Sequence, residues 1–141
     1  MDKVPFMQRG NVIYAIPCHT RKNDCIAKYI GRTTTTLQRR MNKHKSDFQC
    51  NPTTNSLFLH TSMQKCKHTV QFLKPCILDH SNYRRELPIR EAWAIQANKH
   101  PMNQASECAY LPGPYHGLSA LPKDKKIKSA STNYMQPPWK Q

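Results

Sequence analysis

The sequence is poor in acid. Eight Asp and Glu stand against 22 Lys and Arg, a formal net charge of +14. A compact fold gains nothing from that imbalance, because like charges repel. A polyanion would neutralise it, and nucleic acid is the leading partner. An anionic membrane surface or an acidic protein is the lesser alternative. Long apolar runs are also missing. No stretch reaches the roughly 20 residues a bilayer helix needs, so no membrane span is expected. The opening MDKVPFMQRG has no apolar core of a secretory signal, so the expected location is intracellular, and nuclear in a eukaryote. CxxC pairs are absent as well. The six cysteines are Cys18, Cys25, Cys50, Cys66, Cys76 and Cys108. Without a secretion signal a disulfide scaffold is not expected. Free thiols or a metal site remain, and cysteine spacing alone does not indicate a metal.

A chain of 141 residues is ample for one domain and short for two. Residues 1–9 read as a lead-in and residues 10–105 as the domain. From residue 106 prolines recur, and Lys123, Lys125, Lys126 and Lys128 cluster. That composition suggests a loosely ordered segment with non-specific phosphate contacts.

Within the domain, NVIYAI reads as a strand although it alternates poorly, and Pro17 should end it. AKYIG reads as a second strand closed by Gly31, antiparallel to the first. The threonines at 33–36 offer a helix cap near Thr35 or Thr36. In the helix that follows, Leu37 and Met41 lie four apart and can face a core together. Arg40 and His44 form a second pair on a neighbouring face, open to function. A loop is expected over residues 47–54 and a second helix over 55–65. HTVQFLKPCIL reads as a third strand with Pro75 at an edge or bulge. SNYRRELPIREAWAIQANKH reads as a helix broken at Pro88, with Ile89, Ala92, Trp93 and Gln96 on one face. The expected fold is α/β (α+β): a small antiparallel three-stranded sheet flanked by helices.

VIY at 12–14, YIG at 29–31, TLQRRMNKH at 36–44, REAWAI at 90–95 and Asn103 together resemble the GIY-YIG nuclease superfamily. That family cuts phosphodiester bonds in DNA. The resemblance spans residues 10–105. It implies that Tyr14 and Tyr29 are the paired motif tyrosines, and Arg40 and His44 the helix arginine and histidine. It makes Glu91 the carboxylate for Mg²⁺ or Mn²⁺, and Asn103 an asparagine carried after that glutamate. Val12 stands where the motif name has glycine, and CHTRKNDC lengthens the gap between the tyrosines. IPC before the gap, Cys25 before YIG, and NSLFLH…HTVQF resemble the nuclease domains of Penelope-like retroelements. Those carry extra cysteines and histidines suggestive of a metal site. Cys18, Cys25, His60 and His68 are the corresponding candidates for structural Zn²⁺.

These residue types suit phosphodiester hydrolysis. A water must lose a proton, and charge must be stabilised on phosphate oxygens and on the leaving oxygen. Magnesium takes few protein carboxylates, so one glutamate is enough. The planar fork of Arg40 suits non-bridging oxygens. Tyr14 is the preferred base on the family's account. His44, with an unperturbed pKa near neutrality, is its rival. Arg32, Arg39, Lys43, Lys45 and Asn103 are candidate DNA contacts. Each residue also has a structural reading: tyrosines packing the sheet, Arg40 as a solvated charge, Glu91 in a surface pair, Asn103 tying a loop. A non-catalytic nucleic-acid-binding module and a small structural zinc protein are the competing functions. A mobile-element nuclease, a homing-type enzyme, a repair enzyme and a homodimer on DNA all stay open.

Overall fold

The computed structural model describes residues 3–22, 25–50, 55–63 and 67–103. The residues from 104 onward, including the Pro/Lys-rich segment, lie outside the described part. The fold is α+β. Strands β1 (Val12–Thr20) and β2 (Lys28–Thr33) are followed by helices α1 (Leu37–Cys50) and α2 (Ser56–Met63). Strands β3 (His68–Val70) and β4 (Cys76–His80) and helix α3 (Leu87–Ala97) complete it.

β1 is the centre of an antiparallel sheet. β2 pairs along one side from Val12↔Thr33 to Pro17↔Lys28. On the other side β4 pairs with the first half of β1 and β3 with its last three residues. The expected third strand is therefore two short strands, and the sheet has four strands rather than three. Pro75 sits in the turn between them. The register between β1 and β4 shifts at Ile13/Tyr14, a bulge beside the tyrosine.

Pro17 does not end β1. It sits where the ladder with β2 finishes and pairing on the other edge passes from β4 to β3. A residue without an N–H fits such a joint, and the carbonyl of Pro17 accepts from Gln71 N at 3.0 Å.

Both faces of β1 are covered, which explains its weak alternation. A strand buried on both sides has no reason to carry polar residues on one. Val12, Tyr14, Ile16 and Cys18 face Leu37 and Met41 of α1, Leu57 of α2 and Val70 of β3. Ile13 and Ala15, with Ile30 of β2, face Leu87, Ala94 and Ile95 of α3.

The helices follow their local chemistry with some differences from expectation. The Thr36 hydroxyl accepts from Arg39 N at 3.3 Å, so Thr36 caps α1. α1 runs on to Cys50, where a loop was expected from residue 47. Pro88 stands in the first turn of α3, where its missing N–H costs nothing. It starts this helix rather than breaking it. Trp93 is buried as expected, but Ala94 and Ile95 are buried too and Gln96 is exposed.

α3 is fixed to the sheet by charge as well as by packing. Arg90 grips both carboxylate oxygens of Asp79 on β4, at 3.1 and 2.9 Å, and Glu86 Oε2 at 3.0 Å. Glu86 also accepts from Ser81 Oγ at 2.6 Å. The Asp79 side chain is fully buried. Removing one partner of a buried pair leaves an uncompensated charge. Arg90→Ala is therefore expected to lower unfolding free energy by about 3 kcal/mol, measured by urea denaturation. Asp79→Leu combined with Arg90→Met should recover much of that loss.

Candidate active site and metal cluster

Helix α1 buries one stripe: Leu37, Met41 and His44, spaced four and then three residues apart. His44 thus belongs to the inward face, not to an open one beside Arg40. Tyr14 reaches it from the centre of β1. The Tyr14 hydroxyl lies 2.5 Å from His44 Nε2 and accepts from Arg40 Nε at 3.1 Å. The Tyr29 ring meets His44 edge-on with centroids 5.1 Å apart. Four residues selected from sequence therefore share one site.

Gly31 makes room for this arrangement. It pairs directly with Tyr14 across the β1–β2 ladder. A Cβ there would lie 2.7 Å from Tyr14 Cζ and still closer to the hydroxyl. Any side chain would drive the phenol off its partners.

The surroundings set the protonation states. Burial pushes the Tyr14 hydroxyl up to about 12, against the opposing pull of Arg40, and the charge of Glu91 adds to the rise. Burial pushes His44 down to about 4, and Arg40 adds to that. Both groups are neutral at pH 7. If neutral His44 takes the Nδ1–H tautomer, the Tyr14 hydroxyl donates to Nε2.

Glu91 enters from α3. Its carboxylate is largely shielded, at 15% exposure, and it pairs with Arg32 of β2, which is 42% exposed. Its charge acts on Tyr14, so the late carboxylate and the early tyrosine belong to one electrostatic neighbourhood. The Arg90 grip on Asp79 and Glu86 fixes the helix from which Glu91 projects. Sequence reasoning missed that clamp, because Asp79 at a strand end gave no signal by spacing.

The candidate DNA contacts divide. Arg39 and Lys45 are exposed. Lys43 pairs with Asp47 at 3.0 Å one turn along α1. Arg32 is engaged by Glu91. Asn103 behaves as a strand surrogate: its Oδ1 accepts from Ile30 N at 2.9 Å, and its Nδ2 donates to Ile30 O at 2.7 Å. Its amide is committed to the backbone of β2, matching the loop-tying reading.

A second cluster lies on the same face of the sheet. Cys18 of β1, Cys25 of the hairpin connection, His60 of α2 and His68 of β3 bring their donor atoms within 4.8 Å of one another. Cys18 Sγ is 3.1 Å from His68 Nδ1, and Cys25 Sγ is 3.5 Å from His60 Nε2. Bonds of about 2.0–2.3 Å in a tetrahedron give edges of about 3.3–3.8 Å, so small movements would let these four hold a metal ion. Burial and then Cys25 push the Cys18 thiol up to about 12. Burial and then His68 push His60 down. This is the one group of three or more metal-ligating side chains among the described residues. No helix of the described residues is long and apolar enough to cross a membrane.

Comparisons with protein-family models, with curated proteins and with solved structures gave no match to this chain.

His44 also makes stability depend on pH. Its pKa is depressed by folding, so the unfolded chain takes up a proton that the folded one refuses. The contribution is full above about pH 6.5 and is lost as pH falls towards 4. Thermal unfolding between pH 7 and 4 should show a falling midpoint, and His44→Gln should flatten that fall.

Proposed function

We propose that this protein is a metal-dependent endonuclease of the GIY-YIG type, hydrolysing phosphodiester bonds in DNA. The observation that carries this reading is the buried Tyr14 hydroxyl shared between His44 Nε2 and Arg40 Nε. A tyrosine that only fills a core needs one partner for its hydroxyl. Here a proton acceptor stands on one side and a fixed cation on the other, an arrangement suited to proton movement through the oxygen.

A relay follows from those positions. The attacking water gives a proton to the Tyr14 oxygen as Tyr14 passes its own to His44 Nε2. The oxygen of Tyr14 never becomes a free phenolate, which its raised pKa would oppose. Arg40 steadies charge on the tyrosine oxygen and on non-bridging phosphate oxygens. A phosphodiester bound beside His44 would favour its imidazolium form, since an opposite charge raises a histidine pKa. Tyr29, packed edge-on against His44, holds the ring in line.

Glu91 is a hard oxygen donor with the Tyr14 hydroxyl in its field, and it fits Mg²⁺ or Mn²⁺ completed by water. Such an ion supplies charge neutralisation at the phosphate and at the leaving oxygen. The four-residue Cys/His cluster has the soft donor set of structural Zn²⁺. It would tie the hairpin connection and α2 to the sheet. The excess of basic residues, with Arg39 and Lys45 exposed on α1, supports DNA as the substrate.

Two tests follow. Supercoiled plasmid should be nicked or linearised only with Mg²⁺ or Mn²⁺. Glu91→Ala should lower that cleavage at least about a hundredfold while gel-shift binding persists. Salt-sensitive binding without metal-dependent turnover would instead mark a non-catalytic DNA-binding module. For the cluster, one equivalent of Zn²⁺ should bind and raise the melting temperature. Cys18→Ser should abolish that rise.

A further inference from the structure

The Arg32–Glu91 pair stands out once the other charges of the site are accounted for. Glu91 is the carboxylate best placed to hold a divalent cation, yet in the free protein it is held by a guanidinium. An arginine on a metal ligand is a competitor, because carboxylate oxygens that bind the guanidinium are withdrawn from the ion. The two partners are not equally placed. Glu91 projects from a helix clamped by Arg90 and is 15% exposed, whereas Arg32 is 42% exposed at the end of β2. Arg32 is therefore the partner free to move.

Arg32 also has somewhere to go. A guanidinium carries five donors in a planar fork that matches phosphate as well as carboxylate. Arg32 directly follows Gly31 on β2, on the Ile30 face that α3 covers, and Glu91, its partner there, acts electrostatically on Tyr14. A DNA phosphate beside Tyr14 and Arg40 would offer it a second anionic partner.

We propose that Arg32 is a positioning residue that exchanges partners: it pairs with Glu91 in the free protein and moves to a DNA phosphate on binding, releasing the carboxylate for the divalent cation. The proposal rests on the nuclease reading and adds a regulation to it. Metal binding is then coupled to substrate binding, so the free protein holds Mg²⁺ or Mn²⁺ weakly. By linkage, DNA and cation each strengthen the other's binding by the same factor.

The test reads Mn²⁺ affinity, not turnover. The full chain carrying Tyr14→Phe, loaded with one equivalent of Zn²⁺ to fill the Cys/His cluster, is titrated with Mn²⁺. Free Mn²⁺ is followed by electron paramagnetic resonance, with and without a short DNA duplex. Glu91→Ala in this background identifies which Mn²⁺ binding belongs to the site. DNA should tighten that binding about fivefold or more. Arg32→Ala should tighten it by a similar factor without DNA and reduce the further gain from DNA. Arg32→Lys, which keeps the charge but loses the fork, should fall between. Lys74→Ala, an equal charge change in the β3–β4 turn, should leave the affinity unchanged.

Equal Mn²⁺ affinity in Arg32→Ala and its parent would overturn the exchange. Equal tightening by Lys74→Ala would also overturn it, by showing a general charge effect. Mn²⁺ binding that survives Glu91→Ala in full would remove the metal from this carboxylate and overturn it too. Plasmid cleavage by the otherwise unaltered protein decides the nuclease reading separately, so the exchange can fail while that reading stands.

Discussion

The position of the Tyr14 hydroxyl depends on an absence at residue 31. The phenol lies across the neighbouring strand, where even a methyl group would collide with its ring. Gly31 lets the oxygen reach between Arg40 and His44. Those two residues come from one helix, four apart, and helical geometry places them on adjacent paths one turn apart. One small residue on β2 and one cap at Thr36 therefore set the geometry of three functional groups. The third constraint is the burial of β1 on both faces. It leaves the central strand little freedom to shift register, so Tyr14 stays fixed relative to both neighbouring strands.

Much of this was legible in the sequence, for identifiable physical reasons. Strand and helix order followed from β-branched runs, glycine, proline and threonine caps. The spacing of Leu37, Met41 and His44 contained the buried stripe of α1, although Arg40 and His44 also fit a pair on a neighbouring face, open to function. Histidine is polar by type, and only the tertiary contact with Tyr14 shows why it is buried. Pro17 misled because a proline ordinarily leaves a strand. The joint between two partner strands, which tolerates it, is a property of the sheet and not of the chain. The split of the third strand was hidden in the same way. The metal cluster draws on residues up to 50 positions apart, beyond the reach of spacing rules, and its four members were named only through the family resemblance. In the Asp79–Arg90–Glu86 clamp only Glu86 and Arg90 stand at helical spacing, four apart; Asp79, at a strand end, has no periodic partner.

The two clusters are mechanically related. Cys18 and Tyr14 sit on the same face of β1, four residues apart, or about 13 Å along an extended strand. The Cys/His cluster draws in the hairpin connection, α2 and β3, each from a different part of the chain. The aromatic group Phe48, Phe58 and Phe72 fills the space between α1, α2 and the sheet, with centroids 5.4 and 5.7 Å apart. α1 is thus held at its first turn by the Thr36 cap and near its end by Phe48. Arg40 and His44, the two α1 partners of the Tyr14 hydroxyl, lie between those two anchors.

The electrostatics explain why such a site would be quiet until loaded. The Tyr14 proton is held tightly and His44 accepts one poorly, and burial is the leading cause of both. Glu91 adds to the resistance, because a negative charge nearby disfavours a phenolate. A divalent cation on Glu91 would leave a net positive charge there and so reverse the sign of that influence on Tyr14. Placing an anionic phosphate near His44 would make imidazolium less costly. In the proposed relay each binding event would thus lower a different half of the proton-transfer barrier, and neither would remove both. A strongly basic protein attracts polyanions, so under the proposed nuclease reading a site that reacts only with phosphate and cation together would guard against untimely cutting. Such selectivity would require no moving lid, because burial already opposes proton transfer between Tyr14 and His44.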